Sequence, residues 1–509
     1  MTSTAKASPG LASFEVGHIA QQAGKVTEAM VGYRAAIRRD PGLAPAHFNL
    51  AQLYRMQGQH ALAVVHFAQA TRLRPAAPDG WLNLGVSQDQ LGDLTAAAVS
   101  YRRAIELDRE LAAAHFSLGN VLKQQGDLTG AVDAYSEAAR LAPAAPEVAM
   151  NLGNTLRELG RPNEAVVALD RVVALRPDWP PAHWNLSLAL LAAGRLSEGW
   201  AEYDWRWRYL ELDPTRGFAW PRWQGESLSG KRLLVWREQG LGDELMFATL
   251  IPDLVGQGAD VTLSVDPRLV TMLARAFPSA SVVPDGRPGD RAGERYDYHL
   301  PLGSLPRYLR HTRGDFPSTR IFGTPERIRR VTWMERLAPL PDGLKVGISW
   351  RSGHRTADRL RFYAALAEWG PLFAVQGVTW INLQYDDCEA EIREIEAAAG
   401  IVINRWVESD LRDDLESVAA LVDQLDLVIT APTAVSSIAG FVGTETWELD
   451  SGNDWTGHGE VRSPWLPAVR VFSRNAWGGT WSGLFAGVAA ELKTRAGLEQ
   501  VNRSRTVTG

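Results

Sequence analysis

The chain has 509 residues, more than one compact core usually serves, so we expect at least two domains. Charged residues make up 22% of the chain and the formal net charge is -6, a balance that excludes the strong positive charge typical of proteins that bind nucleic acids or anionic membranes. The single cysteine, Cys388, excludes an intramolecular disulfide and a thiolate metal cluster, which fits a reducing compartment. The first ten residues lack an apolar segment, and no later run is long enough to span a bilayer. These features predict a cytoplasmic protein without membrane insertion.

A period of 34 residues dominates the chain up to residue 213. Glycine recurs at this interval, leucine and alanine form further columns, and a proline closes most units. The glycine is expected to end one helix by adopting a positive φ, and the proline cannot continue the next helix. The pattern resembles the tetratricopeptide repeat (TPR), whose helix-turn-helix units stack into a solenoid. The glycine column is Gly24, Gly58, Gly92, Gly126, Gly160 and Gly194; the proline column is Pro41, Pro75, Pro143 and Pro177, with Arg109 in one unit.

Asparagine forms another column, on the predicted first helix of each unit. Its members are Asn49, Asn83, Asn151 and Asn185, with Ser117 in the remaining place. Amides repeated along a groove can bind the backbone of an extended peptide, and the column resembles the asparagine ladder of protein O-GlcNAc transferases. The alternative is that each asparagine is a consensus residue of the repeat and forms hydrogen bonds locally within the solenoid. With either role, a solenoid offers a long surface for a polypeptide partner.

The composition changes near residue 200. Residues 198–208 are aromatic where the repeats have alanine, and residues 214–230 are rich in proline and glycine. We expect the aromatic segment to cap the solenoid and to attach it to the next domain, since tryptophan is common in buried interfaces. The predicted organisation is a TPR solenoid of about six units over residues 10–213, a linker over 214–230, two further lobes over 231–340 and 341–493, and a tail over 494–509.

Strands and helices alternate after residue 231, which predicts parallel sheets in two Rossmann-like lobes. The turn Gly240-Leu241-Gly242 lacks the third glycine of a dinucleotide fingerprint, so a nicotinamide enzyme is not expected. The predicted strands are Leu233–Trp236, Val261–Val265, Lys345–Trp350, Val378–Leu383 and Leu425–Thr430, and the predicted helices include Asp243–Val255 and Ala434–Val442.

Four segments of this half resemble bacterial TPR proteins of the heptosyltransferase-like, GT-B glycosyltransferase group, among them flagellin O-glycosyltransferases. The segments are Trp236–Glu244, Gly347–Gly353, Asn382–Gln384 and Asp426–Ala434. The resemblance covers about residues 231 to 493. It implies a GT-B-like α/β unit after the solenoid and a glycosyltransferase that needs neither a metal nor a cofactor besides its nucleotide-sugar donor.

Asp243 is the candidate catalytic residue. It follows a glycine-rich turn at the carboxyl end of a strand, where open α/β folds bind ligands. In the family a Gly-Asp at this turn supplies the carboxylate that deprotonates the acceptor hydroxyl, and Asp243 matches that position. An Asp that merely caps the following helix would explain the residue equally well. Glu238 is a second, weaker candidate.

Donor binding is predicted at two helix starts. Gly240 and Gly242 expose backbone amides at the first, and free amides with hydroxyl groups at the second suit a nucleotide phosphate. The residues predicted at the second are Thr430, Thr433, Ala434, Ser436 and Ser437. The family often has an Asp and a histidine at this turn, where this chain has Pro432 and Ser437, so the donor type stays open.

Arg351 and Gln384 complete the predicted donor site. Arg351 follows a strand directly, and its guanidinium can bind a phosphate or a sugar carboxylate in a bidentate manner. Gln384 is expected to touch the base or the ribose. Arg355, Arg359 and Arg361, with His354, belong to the same loop as Arg351, and for Arg359 and Arg361 a solvated loop is the favoured interpretation. The acidic cluster at residues 386–389 is interpreted as solvated rather than as a metal site.

The two halves together predict a protein O-glycosyltransferase. The solenoid would hold a polypeptide, flagellin by resemblance, and the α/β unit would transfer a sugar to its Ser or Thr. The expected donor is a CMP-linked nonulosonic acid, with a UDP-sugar as the alternative. Two other functions stay open: a glycan- or lipid-directed glycosyltransferase of envelope polysaccharide synthesis, and a non-catalytic TPR scaffold.

Overall fold

The computed structural model describes residues 10–213, 215–286, 294–353, 360, 362–452 and 455–507, with side chains to residue 497 in the last helix. A TPR-like helical solenoid occupies about the first 200 residues and parallel β-sheets follow, as the sequence predicts. The chain divides into two compact units: Met1–Leu156 with Val167–Pro177, and Arg157–Val166 with Asp178–Gly509. The last helical pair of the repeats therefore lies in the same compact unit as the sheets.

The helices of the repeats are α1 (Leu11–Gln22), α2 (Val26–Arg39), α3 (Ala44–Met56), α4 (His60–Leu73), α5 (Pro78–Gln90), α6 (Leu94–Leu107), α7 (Ala112–Gln124), α8 (Leu128–Leu141), α9 (Pro146–Glu158), α10 (Pro162–Leu175), α11 (Pro180–Ala192) and α12 (Leu196–Tyr203). All six column glycines stand between the two helices of a pair with φ between +72° and +83°, a conformation that costs glycine no steric strain. Each column proline stands two residues after the end of a helix. The predicted roles of both columns are confirmed.

The first sheet has four parallel strands in the order β3-β2-β1-β4. They are β1 (Arg232–Trp236), β2 (Asp260–Val265), β3 (Ser281–Pro284) and β4 (Tyr298–Pro301); the helices of this region are α13 (Arg206–Tyr209), α14 (Leu241–Ala248), α15 (Ile251–Gly256), α16 (Val270–Ala276), α17 (Pro306–Leu309) and α18 (Arg327–Leu337).

The predicted helix Asp243–Val255 is wrong as a single element. It is divided into α14 and α15, and the break falls at Thr249 and Leu250. Pro252 explains the division, because it has no N–H to donate to the carbonyl of residue 248 and its ring would clash with that carbonyl.

The second sheet has six parallel strands in the order β10-β9-β8-β5-β6-β7. They are β5 (Leu344–Ser349), β6 (Val378–Asn382), β7 (Ile403–Asn404), β8 (Leu427–Thr430), β9 (Thr446–Asp450) and β10 (Val469–Ser473); the helices are α19 (Gly370–Phe373), α20 (Glu389–Ala399), α21 (Leu415–Val422), α22 (Ala434–Val442) and α23 (Trp481–Val507). Strand β5 pairs with β6 and β8, so these three strands end at the same edge of the sheet.

One apolar core joins α12, the first sheet and the second sheet. It contains Trp200 of α12, Leu233 of β1, Phe247 of α14 and Ile438 of α22, all buried. The aromatic segment at residues 198–208 therefore lies in an interface, as predicted. These parts share a core, so the strands of both sheets end within one compact unit.

Candidate functional site

The starts of two helices from the two sheets meet at Gly242. Helix α14 follows β1, and α22 follows β8. A Cβ added at Gly242 would lie 3.0 Å from Ser437 Oγ and 3.8 Å from Ala434 Cα. Neither Gly240 nor Gly242 has a positive φ, so at Gly242 the glycine is explained by this close approach and not by turn geometry. Two of the predicted donor-binding segments are thus brought together.

Asp243 lies in the first turn of α14. Its Oδ2 accepts a hydrogen bond of 3.2 Å from the backbone N–H of Gly240, the residue before the helix. This is the capping contact that the sequence offered as the alternative to catalysis. The carboxylate is partly exposed, and a capping contact does not preclude a role as a base, so the catalytic role stays a prediction.

The hydroxyl groups at the start of α22 differ in how they are used. Thr430 is buried and its hydroxyl donates to the carbonyl of Ala431 at 2.9 Å. Ser436 is also buried. Thr433 occupies the position before the helix, and its Oγ1 is buried without a hydrogen-bond partner among the described residues. The Thr433 hydroxyl is thus left for a further partner at the start of α22, and donor binding by these residues stays a prediction.

Glu238 is engaged by a buried arginine. Arg206 donates to Glu238 Oε1 at 2.8 Å and to Oε2 at 3.0 Å, and both side chains are buried. The same guanidinium also contacts Asp204 and Ser304. This arrangement makes Glu238 a structural residue that links α13 to the turn after β1, and it no longer competes with Asp243 as a candidate base.

Arg351 is held by two carboxylates. Its guanidinium contacts the Asp386 carboxylate and lies 2.7 Å from Glu391 Oε1, and the side chain is only 7% exposed. These contacts account for the arginine without a ligand. The structure therefore favours a structural role for Arg351 over the predicted phosphate contact.

Gln384 connects the loop after β6 to the loop after β5. Its Oε1 accepts from Trp350 N at 3.1 Å and from Ser349 Oγ at 3.2 Å, and its Nε2 donates to Asp386 Oδ1 at 2.7 Å. The side chain is buried. Its predicted contact with a base or ribose stays a prediction. His354, Arg355, Arg359 and Arg361 lie outside the described residues.

The acidic cluster at residues 386–389 is not simply solvated. Asp386 contacts Arg351, and Glu389 pairs with Arg405 at 3.0 Å and with Arg393 at 2.9 Å. Burial raises the pKa of the neighbouring Cys388 thiol to about 11. Across the described part of the chain, no three His, Cys, Asp or Glu side chains are grouped as they would be around a metal ion.

The amides of the asparagine column bond locally. Asn83 and Asn185 donate to carbonyls of their own helices, those of Asp79 and Pro181, each at 2.8 Å. Asn49 donates to the Tyr33 hydroxyl at 3.1 Å. In the fourth member, the Asn151 amide donates to Asn120 Oδ1 at 3.0 Å. These contacts favour the local role, while each side chain keeps a partly exposed surface.

Two polar residues near Asp243 were not predicted. The Gln239 side chain, in the turn after β1, donates to the hydroxyl of Tyr203 at 2.7 Å. Burial on α12 raises the pKa of the Tyr203 phenol, and the charge of Asp243 adds to this rise. The sequence predicted Tyr203 only as part of the aromatic segment at residues 198–208, which was expected to cap the solenoid.

A buried carboxyl group, Glu244, lies directly beside Asp243 in the chain. Burial raises its pKa to about 7, although the Arg237 guanidinium lies 2.8 Å away and the backbone N–H of Asp266 donates to it at 2.8 Å. This burial was not predictable from the sequence, since a glutamate in the first turn of a helix is normally solvated.

Among the described helices, none combines the length and the apolar character that crossing a bilayer requires.

Comparisons with known proteins match a family over the repeats and a curated protein over more than half of the chain. Residues 4–205 match the family described as the C-terminal domain of cilia and flagella-associated protein 70. The chain is 36% identical over 314 residues to Protein FlbA of Caulobacter vibrioides, and the alignment covers 58% of this chain and 52% of that protein. The chain thus spans about half the length of this curated relative.

Similar solved structures cover only part of the chain. YrrB, described as a TPR protein with an unusual peptide-binding site, is 21% identical, with coverage of 35% of this chain and 91% of YrrB and a TM-score of 0.33. PilF of Pseudomonas aeruginosa is 20% identical, with coverage of 40% and 91% and a TM-score of 0.34. The TPR-like fold of this chain rests on its own paired helices and the 34-residue glycine column between them.

Proposed function

We propose that the protein is a glycosyltransferase with a GT-B arrangement, which transfers a sugar from a nucleotide donor to a Ser or Thr hydroxyl of a polypeptide. The observation that carries the proposal is the close approach of Gly242 to Ser437, which brings helix starts from two parallel sheets together. Open α/β folds bind ligands at the carboxyl ends of their strands. Here the helices that follow β1 and β8 begin next to each other.

The nucleotide phosphate would bind at the start of α22. Backbone amides in the first turn of a helix and the helix dipole both favour a negative charge. Thr433 adds a buried hydroxyl without a partner among the described residues, and Ser437 brings a second hydroxyl to the contact with Gly242. Arg351 and Gln384 would support this edge of the sheet and would not contact the donor.

Asp243 would act as the general base. The acceptor hydroxyl attacks the anomeric carbon of the sugar, the bond from that carbon to the phosphate breaks, and Asp243 takes the hydroxyl proton. The nucleotide leaves with its phosphate stabilised by the helix start. The 3.2 Å contact with the Gly240 N–H would keep the carboxylate at this position between turnovers.

The acceptor would be a polypeptide held along the helical repeats, since solenoids present long surfaces for such partners. The resemblance to flagellin O-glycosyltransferases makes flagellin the acceptor to test, in the cytoplasm. It also makes a CMP-linked nonulosonic acid the first donor to test and a UDP-sugar the second.

Intact-mass analysis of flagellin, incubated with the protein and each donor, tests the proposal. We expect a mass increase equal to one or more sugar residues, and its loss with Asp243→Asn. Asparagine keeps a side-chain oxygen for the capping contact but cannot accept the proton, so the variant separates the two roles of Asp243. The variant should melt at the temperature of the parent and lose at least about 100-fold in rate.

The side chains of Arg351 and Gln384 already bond to other residues of the chain. These bonds favour one alternative, a TPR scaffold that catalyses no reaction. Flagellin that binds but never gains mass with either donor would support that alternative. An unchanged flagellin together with an altered surface polysaccharide in cells lacking the protein would support a glycan- or lipid-directed enzyme.

A further inference from the structure

The first helix of the repeats exposes an apolar stripe at positions that the later repeats bury. Ala12, Val16 and Ile19 lie on one face of α1, and Val16 and Ile19 are 63% and 65% exposed. The residues that match Ile19 in the five later repeats are all buried; they are Leu53, Ser87, Val121, Thr155 and Ala189. The residues that match Ala12 and Val16 are buried too, apart from the partly buried Leu152. The first repeat therefore presents a packing face rather than a solvent face.

Inside the solenoid, the second helix of the preceding repeat covers these positions. Leu53 of α3, which matches Ile19, belongs to the same buried cluster as Met30 of α2. Among the described residues no helix precedes α1, and residues 1–9 contain no Leu, Ile, Val or aromatic side chain that could take its place. The face therefore fits an α-helix that has an apolar stripe of its own and comes from another molecule.

The stripe on α1 is complementary to itself. Ala23 continues it and is exposed, so small, large, large and small side chains follow one another at intervals of four, three and four residues. These intervals are those of packed helix pairs. When two such helices run antiparallel about a two-fold axis, Val16 of each meets Ile19 of the other, and Ala12 meets Ala23. Glu15 is the only Asp, Glu, Lys or Arg in α1, so the contact buries little charge.

We propose that α1 is a homodimer interface, on which the α1 helix of a second copy of this chain packs antiparallel about a two-fold axis. Such an interface uses the same patch on both copies, as the self-complementary stripe requires. Because α1 is only about 18 Å long, the buried area is smaller than in a standard stable complex. We therefore expect a reversible dimer, whose formation does not depend on the proposed function.

Sedimentation equilibrium of the full chain measures this association. Between about 5 and 200 µM the parent should change from monomer to dimer. Val16→Glu should weaken the association at least about tenfold, because it places a carboxylate in the apolar contact. Val31→Glu is the matched control: Val31 is 57% exposed in the same repeat, and its column stays exposed at Val65 and Val99. Both variants change exposed side chains and should melt with the parent.

Cross-linking through introduced cysteines tests the antiparallel arrangement. Ala12 of one copy would lie opposite Ala23 of the other, whereas the two copies of Ala12 would be about 16 Å apart along the helices. A disulfide needs Cα atoms within about 7 Å of each other. A mixture of Ala12→Cys and Ala23→Cys chains should therefore form covalent dimers on oxidation, and neither variant should do so alone. The native Cys388 is buried and should not react.

A parent that remains monomeric at about 200 µM overturns the inference and leaves the face to a helix of a different protein. Association that survives Val16→Glu but is lost in Val31→Glu overturns it as well, since the exposed valine column would then be the interface. Covalent dimers of Ala12→Cys alone would contradict the two-fold arrangement.

Discussion

Polar side chains follow the strands of the second sheet in two regions. The regions differ in whether those side chains already bond to other residues of the chain. After β5 and β6, Arg351, Gln384 and Asp386 bond to one another, and the guanidinium is almost fully buried. After β8, the Thr433 hydroxyl is buried without a partner among the described residues, and Ser437 faces a glycine. Both regions carry the residue types of a phosphate site. Of the described residues in these two regions, only those after β8 include a buried hydroxyl without a partner, so the residue types at a strand end do not by themselves identify a binding site.

The strongest test of this difference removes Arg351. Arg351→Ala would leave Asp386 and Glu391 without their cation, and loss of one partner of a buried ion pair is strongly destabilising, here by about 3 kcal/mol. Urea unfolding followed by tryptophan fluorescence measures the change. Arg393→Ala is the control, because that side chain is 73% exposed and should leave the midpoint unchanged. A stable Arg351→Ala variant with weakened donor binding would contradict the structural role.

The buried carboxyl group of Glu244 predicts a pH dependence of stability that the region around Arg351 lacks. Its folded pKa, about 7, lies above the ordinary value of 4.5, so the unfolded chain loses this proton first as the pH rises. The stability of the parent relative to Glu244→Gln should fall as the pH increases from about 4.5 through 7, by about 3 kcal/mol in all. Melting temperatures of both proteins between pH 4.5 and 8 measure it. The opposite slope would mean that the ion pair with Arg237 controls this carboxyl.

The contact between the starts of α14 and α22 predicts that substitutions at Gly242 and Ser437 have non-additive effects on stability. Gly242→Ala places a Cβ 3.0 Å from Ser437 Oγ and should cost about 1–2 kcal/mol, and Ser437→Gly should recover most of that loss. Gly256→Ala is the matched control, because a Cβ there meets no atom within 4 Å. Melting temperatures of the four proteins of the cycle measure the coupling. Additive effects would show that the two helix starts are not in firm contact.

The smallest effect is expected in the repeats. Asn83 donates to its own helix, so Asn83→Ala should change the free energy of unfolding by no more than about 0.5 kcal/mol and leave the capture of flagellin unchanged. A loss of capture of tenfold or more at an unchanged melting temperature would instead favour the peptide-binding ladder. Fluorescence anisotropy with labelled flagellin makes this measurement.

The repeats could be predicted in detail because every unit repeats the same local constraints. A glycine with positive φ recurs at every turn between the paired helices, and a proline follows the second helix in most units. The start and end of α22 were also predictable, since an apolar strand precedes it and a glycine with positive φ follows it. The single helix predicted over Asp243–Val255 was wrong because Pro252 divides an otherwise helical pattern.

The candidate site was less predictable because its contacts join distant parts of the chain. Arg351 was expected to face a phosphate, yet its partners Asp386 and Glu391 follow 35 and 40 residues later. Tyr203 belongs to a repeat column that normally packs and bonds within the solenoid, so nothing in its own repeat indicates that its hydroxyl meets Gln239. Such pairings depend on the packing of α12 against the first sheet, which no local pattern reveals.

The buried Arg206 also determines where this chain can be cut. A fragment that begins at residue 231 would keep Glu238 and Ser304 but lose the guanidinium between them, and it would expose the core that Trp200 covers. A fragment that ends at residue 213 would expose the side chains of Trp200 and Trp207 to water. Expression of the sheets as a separate domain should therefore begin at about residue 157, so that α11, α12 and α13 remain with the strands they cover.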